Sequence, residues 1–308
     1  MNESGRGALL PWLALLIVWI GWGSTYLGMN AAVETIPPLM MTGLRFLLAA
    51  PVMFAVSVPA WRKGKINLTL RQVISAGIIG ILMLVMATAV TGASQRHLDS
   101  SFTSLIISVT PIWMSVFTAI HLRKRPNGKV FGALVVGLIG IAIMAGGPGA
   151  GEISLLWTII VSSTTIFWSL GTVLSRFVDL PKYPPLNSGF QMLIAGSALI
   201  IISGLFGEWQ EIDFGEVTSR SWTGLLWLVM VGSLISYSAF MYANSTLPIE
   251  IVSTYAYVNP VVAVLLGATL NSEPMGPNII IGGTVILLAV VFIVSGHVTR
   301  RGPIKRMG

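Results

Sequence analysis

The fold class that this 308-residue sequence predicts is an all-α polytopic membrane protein. Ten transmembrane helices are expected, arranged as two inverted five-helix repeats. Three observations predict it. The chain is 54% hydrophobic and only 9% charged, where a water-soluble domain carries ~25% charge to cover its surface. Its apolar residues fall into ten runs, each near the ~20 residues that cross a bilayer. The basic residues between those runs alternate so as to orient them.

The first run, Ala8 to Met29, follows Arg6 and exceeds the ~7–15-residue apolar core of a secretory signal, so it is read as a retained helix. With it, the spans are expected at 8–29, 38–58, 71–92, 99–121, 129–146, 154–175, 186–206, 221–243, 250–270 and 278–297. Only Arg96, His97 and Asp99 separate the third from the fourth, room for a tight turn. The domain division is a first repeat at 8–146, a second at 154–297 and a basic tail at 298–308.

With the N-terminus in the cytoplasm, fifteen of the 18 Lys and Arg fall on the inner side, in clusters such as Arg62-Lys63 and Arg123-Lys124-Arg125. Arg96 and Arg220 fall outside, Arg45 lies within a span, and the longest outer loop is acidic, with Glu208, Glu211, Asp213 and Glu216. This asymmetry predicts that both termini are cytoplasmic. It also accounts for the pI of about 10.0 without nucleic acid. The absence of cysteine excludes disulfides and thiolate chemistry.

The repeat is visible in the residues. Thr42-Gly43-Leu44-Arg45 aligns with Ser188-Gly189-Phe190-Gln191, 146 residues on, and Thr110-Pro111 with Asn259-Pro260, 149 on. Trp22 pairs with Trp168, and Pro37-Pro38 with Pro184-Pro185. Five helices are an odd number of crossings, so the second copy enters from the opposite side. The loop after Pro111 is accordingly basic, and the matching one after Pro260 is not. Inverted repeats of this kind build transporters, with a site near the midplane between the halves.

Trp22-Gly23-Ser24-Thr25-Tyr26, Ile36-Pro37-Pro38 with Leu44-Arg45-Phe46, and Ser253-Thr254-Tyr255-Ala256-Tyr257-Val258-Asn259-Pro260 resemble the EamA family of the drug/metabolite transporter (DMT) superfamily, in particular its YedA-like bacterial exporters. The resemblance covers essentially the whole chain. It implies ten helices, an inner-membrane location and export of small metabolites or drugs, amino acids among them. The first half departs from the family pattern, with Arg123-Lys124-Arg125 where an acidic residue is usual; the second half keeps Glu273.

Arg45 is the only ionisable residue well inside a span. Such a charge is functional or paired, so it is either a contact for a substrate carboxylate or a clamp on helix-end carbonyls. Trp22 and Tyr26, spaced i, i+4, share a helix face. With Trp168 they form either an aromatic wall for substrate or an interfacial belt. Tyr255 and Asn259 share a second face, beside Pro260, which removes a helix hydrogen bond and is expected to kink the ninth helix. Tyr237 is a further substrate candidate. The substrate-binding set is therefore Trp22, Tyr26, Arg45, Trp168, Tyr237, Tyr255 and Asn259, with Pro111 and Pro260 as hinges.

No span holds a central Asp or Glu, and no His lies near a central Ser, so base–nucleophile pairs and metal clusters are not expected. No cofactor or metal is implied. The partners expected are a small-molecule substrate and the bilayer, without nucleic acid, as a monomer or homodimer. Against secondary export by alternating access stand a passive channel or facilitator and, more distantly, an intramembrane enzyme.

Overall fold

The computed structural model describes residues 3–64, 66–98, 100–123, 128–145, 154–270 and 276–298. Of the features read from sequence, Asp99, Lys124, Arg125, Glu273 and the tail beyond Val298 lie outside these residues.

Ten helical spans follow in order: α1 (Glu3–Val33), α2 (Pro38–Arg62), α3 (Leu70–Ser94), α4 (Ser100–Ile107 and Thr110–Leu122), α5 (Gly128–Ala145), α6 (Leu155–Leu174), α7 (Pro184–Leu205), α8 (Ser219–Thr246), α9 (Ile249–Val252 and Tyr255–Leu270) and α10 (Pro277–Val298). Seven described helices are long and apolar enough to cross a membrane. Shorter apolar ones at Thr110–Leu122, Phe131–Gly140 and Ile280–Phe292 complete the set. The described residues include no strand, as expected where backbone groups must be satisfied within each segment.

The starts are written in the sequence. Pro38 and Pro184 begin α2 and α7, where a missing N–H is no loss. Thr69 and Gln72 form a capping box on α3. Thr218 caps α8 through Ser221, each residue 149 positions after its α3 counterpart.

Two features were not legible. The middles of α3 (Ile81–Ala89) and α8 (Leu228–Tyr237) are π-helical, at matching places in the two halves. The Thr88 hydroxyl marks the wider turn by donating to the carbonyl of Met83, five residues back (2.9 Å). The second feature is a break in α9. Pro260 lies inside the unbroken Tyr255–Leu270 helix, and the interruption falls at Ser253–Thr254, before the proline that was expected to kink the helix. There the side chains of Ser253 and Thr254 donate to the carbonyls of Glu250 (3.0 Å) and Ile251 (2.6 Å), back-bonding that competes with the helix ladder. The break in α4 carries the same signature, with Ser108 donating to Ser104 O (2.9 Å) and Thr110 to Ile107 O. In α4, Pro111 stands in the first turn of the second piece.

The halves interlock. α1 packs on α8 and α9 of the other half, and α6 packs on α3 and α4. Two further pairs, α2 with α7 and α5 with α10, join like to like. Glycines permit the closest crossings: a Cβ on Gly224 would meet Gly28 O at 2.7 Å, and one on Gly80 would meet Gln191 O at 2.7 Å.

Polar ties link the helices at both ends. At the end bearing the acidic loop, Glu208 accepts from the N–H groups of Leu39 (3.0 Å) and Met40 (2.7 Å), fastening the α7–α8 connection to the start of α2. Thr35 donates to Ser221 Oγ (2.8 Å), which donates to Ala31 O (2.8 Å). At the basic end, Gln72 donates to Asp179 (3.1 Å). Arg176 donates to Asn244 Oδ1 (3.0 Å) and Leu247 O (2.9 Å), and Asn244 to Thr172 O (3.1 Å) and Ser175 Oγ (2.9 Å).

Candidate functional site

Between the halves lies a cavity of about 100 Å³. Its walls come from α1, α2, α3 and α4 of the first half and α6, α8 and α9 of the second. All seven residues picked out as substrate contacts face it: Trp22, Tyr26, Arg45, Trp168, Tyr237, Tyr255 and Asn259.

The aromatic wall is shared by the halves. The repeat-matched Trp22 and Trp168 meet edge to face, ring centres 5.3 Å apart and planes at 78°. Tyr255 stands edge-on to Trp22 at 5.2 Å. Behind them Phe240, fully buried, packs on Trp22 (4.9 Å), Trp168 (5.5 Å) and Tyr255 (5.6 Å). Sequence reasoning missed Phe240: in so apolar a chain, one phenylalanine among 12 carries no signal. Ring pairs of this geometry contribute ~0.5–1.5 kcal/mol each beyond area burial, which fixes the wall's shape. The Trp22 indole donates to Gly232 O (3.1 Å), tying α1 to the π-helical part of α8.

Asn259, with its amide oriented to suit its neighbours, donates to Trp19 O (3.1 Å) and Tyr255 O (3.0 Å). It joins α9 to α1. Tyr257 points away and packs with Ala133, Ile286 and Val290 between α5 and α10.

The threonines of the wall also escaped the sequence. Thr25, Thr88, Thr91, Thr110, Thr164 and Thr165 line the cavity. Except for Thr91, their hydroxyls donate to carbonyls of their own helices, at 2.7 Å for Thr25 and Thr164 and 2.6 Å for Thr165. The bonded hydroxyls therefore present lone pairs, not free donors, to the space.

Arg45 is 4% exposed. Its Nε donates to Ser233 Oγ on α8 (2.8 Å), its guanidinium lies 5.3 Å from the ring centre of Phe46, and Nη1 has no partner. The two ion pairs among the described residues, Arg96–Glu211 (3.8 Å) and Arg220–Glu34 (3.3 Å), are elsewhere. At the matching place in the second half, Gln191 is fully engaged: the Tyr237 hydroxyl donates to its Oε1, and its Nε2 donates to Asn187 (2.9 Å).

The model of the EamA-like transporter family matches residues 9–146 and again 155–295. The chain belongs to this family. An EamA-family relative, the inner membrane transporter YedA of Escherichia coli (strain K12), is 32% identical over 296 residues, spanning 94% of this chain and 92% of its own. The transporter YvbV of Bacillus subtilis (strain 168) is 22% identical, covering 94% of this chain and 91% of its own. The chloroplastic WAT1-related protein At3g02690 of Arabidopsis thaliana is 23% identical over 94% of this chain and 71% of its own. A solved crystal structure of a protein 16% identical superposes with a TM-score of 0.76, covering 94% of this chain and 98% of its own, and shares the fold. This EamA-family chain is thus a multi-pass inner membrane protein of a transporter family, built as two inverted five-helix repeats.

Proposed function

We propose that the protein is a secondary transporter that exports small metabolites, amino acids or related compounds, or drugs, by alternating access through the cavity between the repeats. The observation that carries this reading is the cavity itself: matched residues of the two halves, Trp22 and Trp168, meet there beside Arg45. A volume of about 100 Å³ is below the ~300–1,000 Å³ of a small-molecule pocket. Accommodating a substrate of that size therefore requires the halves to part further, and the ties at the two ends are contacts that such a movement would break in turn. A fixed pore would need neither. With the positive-inside rule, the basic end bearing Arg62 and Arg176 faces the cytoplasm and the acidic end bearing Glu208 faces outward.

Trp22→Ala and Tyr255→Ala are expected to lower transport in proteoliposomes at least about tenfold while membrane insertion and fold remain intact. If both transport like the unaltered protein, the aromatic wall is packing and the site lies elsewhere. Cysteines placed singly at Gly64 and Ile212 in this cysteine-free chain report the sides: an impermeant thiol reagent on whole cells should label 212 and spare 64. The reverse pattern overturns the orientation.

A further inference from the structure

We propose, resting on the transporter reading above, that the cavity accepts an organic monoanion with an aromatic or apolar body, and that the membrane potential drives its export. Among the described residues no carboxylate lies within 4.0 Å of Arg45, and no Asp or Glu occupies the middle of any span. Of its donors, Nε is engaged by Ser233 and Nη1 is left without an acceptor in a buried site. An uncompensated charge within a membrane is strongly unfavourable, so an arginine retained there is waiting for its counter-ion.

The surroundings are cut to hold that charge. A Cβ on Gly232 would come within 2.5 Å of Nη2, so a larger residue there would push the guanidinium from its present place. The other polar groups lining the space cannot supply a second charge. The hydroxyls of Thr25, Thr164 and Thr165 donate to their own helices, Tyr237 and Asn259 are committed to Gln191 and to backbone carbonyls, and Thr91, Tyr26 and Tyr255 bring uncharged hydroxyls. What remains is one cationic fork beside the faces and edges of Trp22, Trp168, Tyr255 and Phe46. A carboxylate or sulfonate fits the fork, and a flat apolar body fits the rings. An ammonium group would stand against Arg45 with no carboxylate to offset it.

The coupling follows from the count of charges. The loaded cavity is neutral and the empty one bears the charge of Arg45, so one cycle moves a single negative charge across the membrane. An inside-negative potential pushes that charge outward, with a driving ratio of about 50-fold per 100 mV. Export then needs no membrane carboxylate for proton exchange.

The test uses three congeners with one ring, 3-phenylpropionate, phenylalanine and phenethylamine, loaded into proteoliposomes of the full chain and compared with protein-free vesicles. A potassium diffusion potential of either sign is imposed with valinomycin. The expected result is protein-dependent efflux of 3-phenylpropionate, faster with the interior negative and slower with it positive, with phenylalanine weaker and phenethylamine absent. Arg45→Lys should keep this order, and Arg45→Gln should lose the anion flux by about tenfold or more with its melting temperature unchanged. Flux that ignores the potential, or that favours phenylalanine or phenethylamine, overturns the inference and leaves the transporter reading standing. No protein-dependent flux of any congener overturns both.

Discussion

Arg45 and Gln191 occupy matched positions in the two halves, yet their surroundings treat them in opposite ways. Gln191, wholly buried, has both ends of its amide engaged by Tyr237 and Asn187, and its backbone is pressed against Gly80 of α3. Arg45, nearly as buried, has one bond to Ser233 and a free Nη1. A symmetric architecture has thus been given one closed polar node and one open one. The closed node stabilises the fold; the open one is available to a ligand. Duplicated halves need not duplicate their chemistry, and the asymmetry marks where selectivity resides.

The comparison can be broken in a graded way. The largest effect is expected from Gln191→Arg, which places a second charge in a site whose acceptors are already committed. It should reduce stability by ~3–5 kcal/mol, the cost of an uncompensated buried charge, read as a lowered melting temperature in detergent. Next is Tyr237→Phe, which leaves Gln191 Oε1 short of its donor and should reduce stability by ~1–3 kcal/mol. If that variant melts like the unaltered protein, the Tyr237 hydroxyl does not hold the Gln191 node closed. Arg45→Met should do the opposite of a structural lesion: transport is lost while the melting temperature stays level or rises, because an unpaired charge has been removed. A large fall in stability would instead make Arg45 a helix clamp.

The smallest effect concerns Glu208, at the acidic end. Burial holds its carboxyl above the ordinary range, against the pull of the Leu39 and Met40 N–H groups and of Arg96, with Glu211 adding to the rise. A carboxyl raised in the folded state keeps its proton where the unfolded chain has lost it. Stability therefore falls as pH climbs from the ordinary carboxylate range through the raised one, and is level beyond. Thermal unfolding of Glu208→Gln across that window should show a flatter profile than the unaltered protein; an identical slope would remove Glu208 as the cause.

The architecture was legible because it rests on composition. Twenty-residue apolar runs, loop charges and repeat-matched Trp22 and Trp168 need no tertiary knowledge to be seen. The gathering of the seven polar and aromatic candidates around one space was legible for a related reason: polar atoms within an apolar chain stand out. What stayed hidden has no residue signature. Nothing in Ile81–Ala89 or Leu228–Tyr237 announces a π-helix, since the sequence of a π turn is as apolar as that of an α turn. The break at Ser253–Thr254 was masked by the louder signal of Pro260, because back-bonding hydroxyls are common in helices that do not break. Phe240 was invisible for want of contrast with its neighbours, and the threonines because hydroxyls that bond back to their own helix occur throughout the spans.

The π-helical stretches carry one more implication. Each holds a surplus residue relative to an α-helix of the same rise, and an α turn advances about 100° per residue. Were the surplus in α8 to migrate along the helix, the residues it passed would swing round the axis by that step. Ser233 would leave Arg45 and Tyr237 would leave Gln191 in the same movement, while the matched stretch in α3 offers the mirror-image stroke. Two such slack turns, placed 147 residues apart at Ile81 and Leu228, let the cavity wall be re-dealt by screw motion, with no helix having to melt.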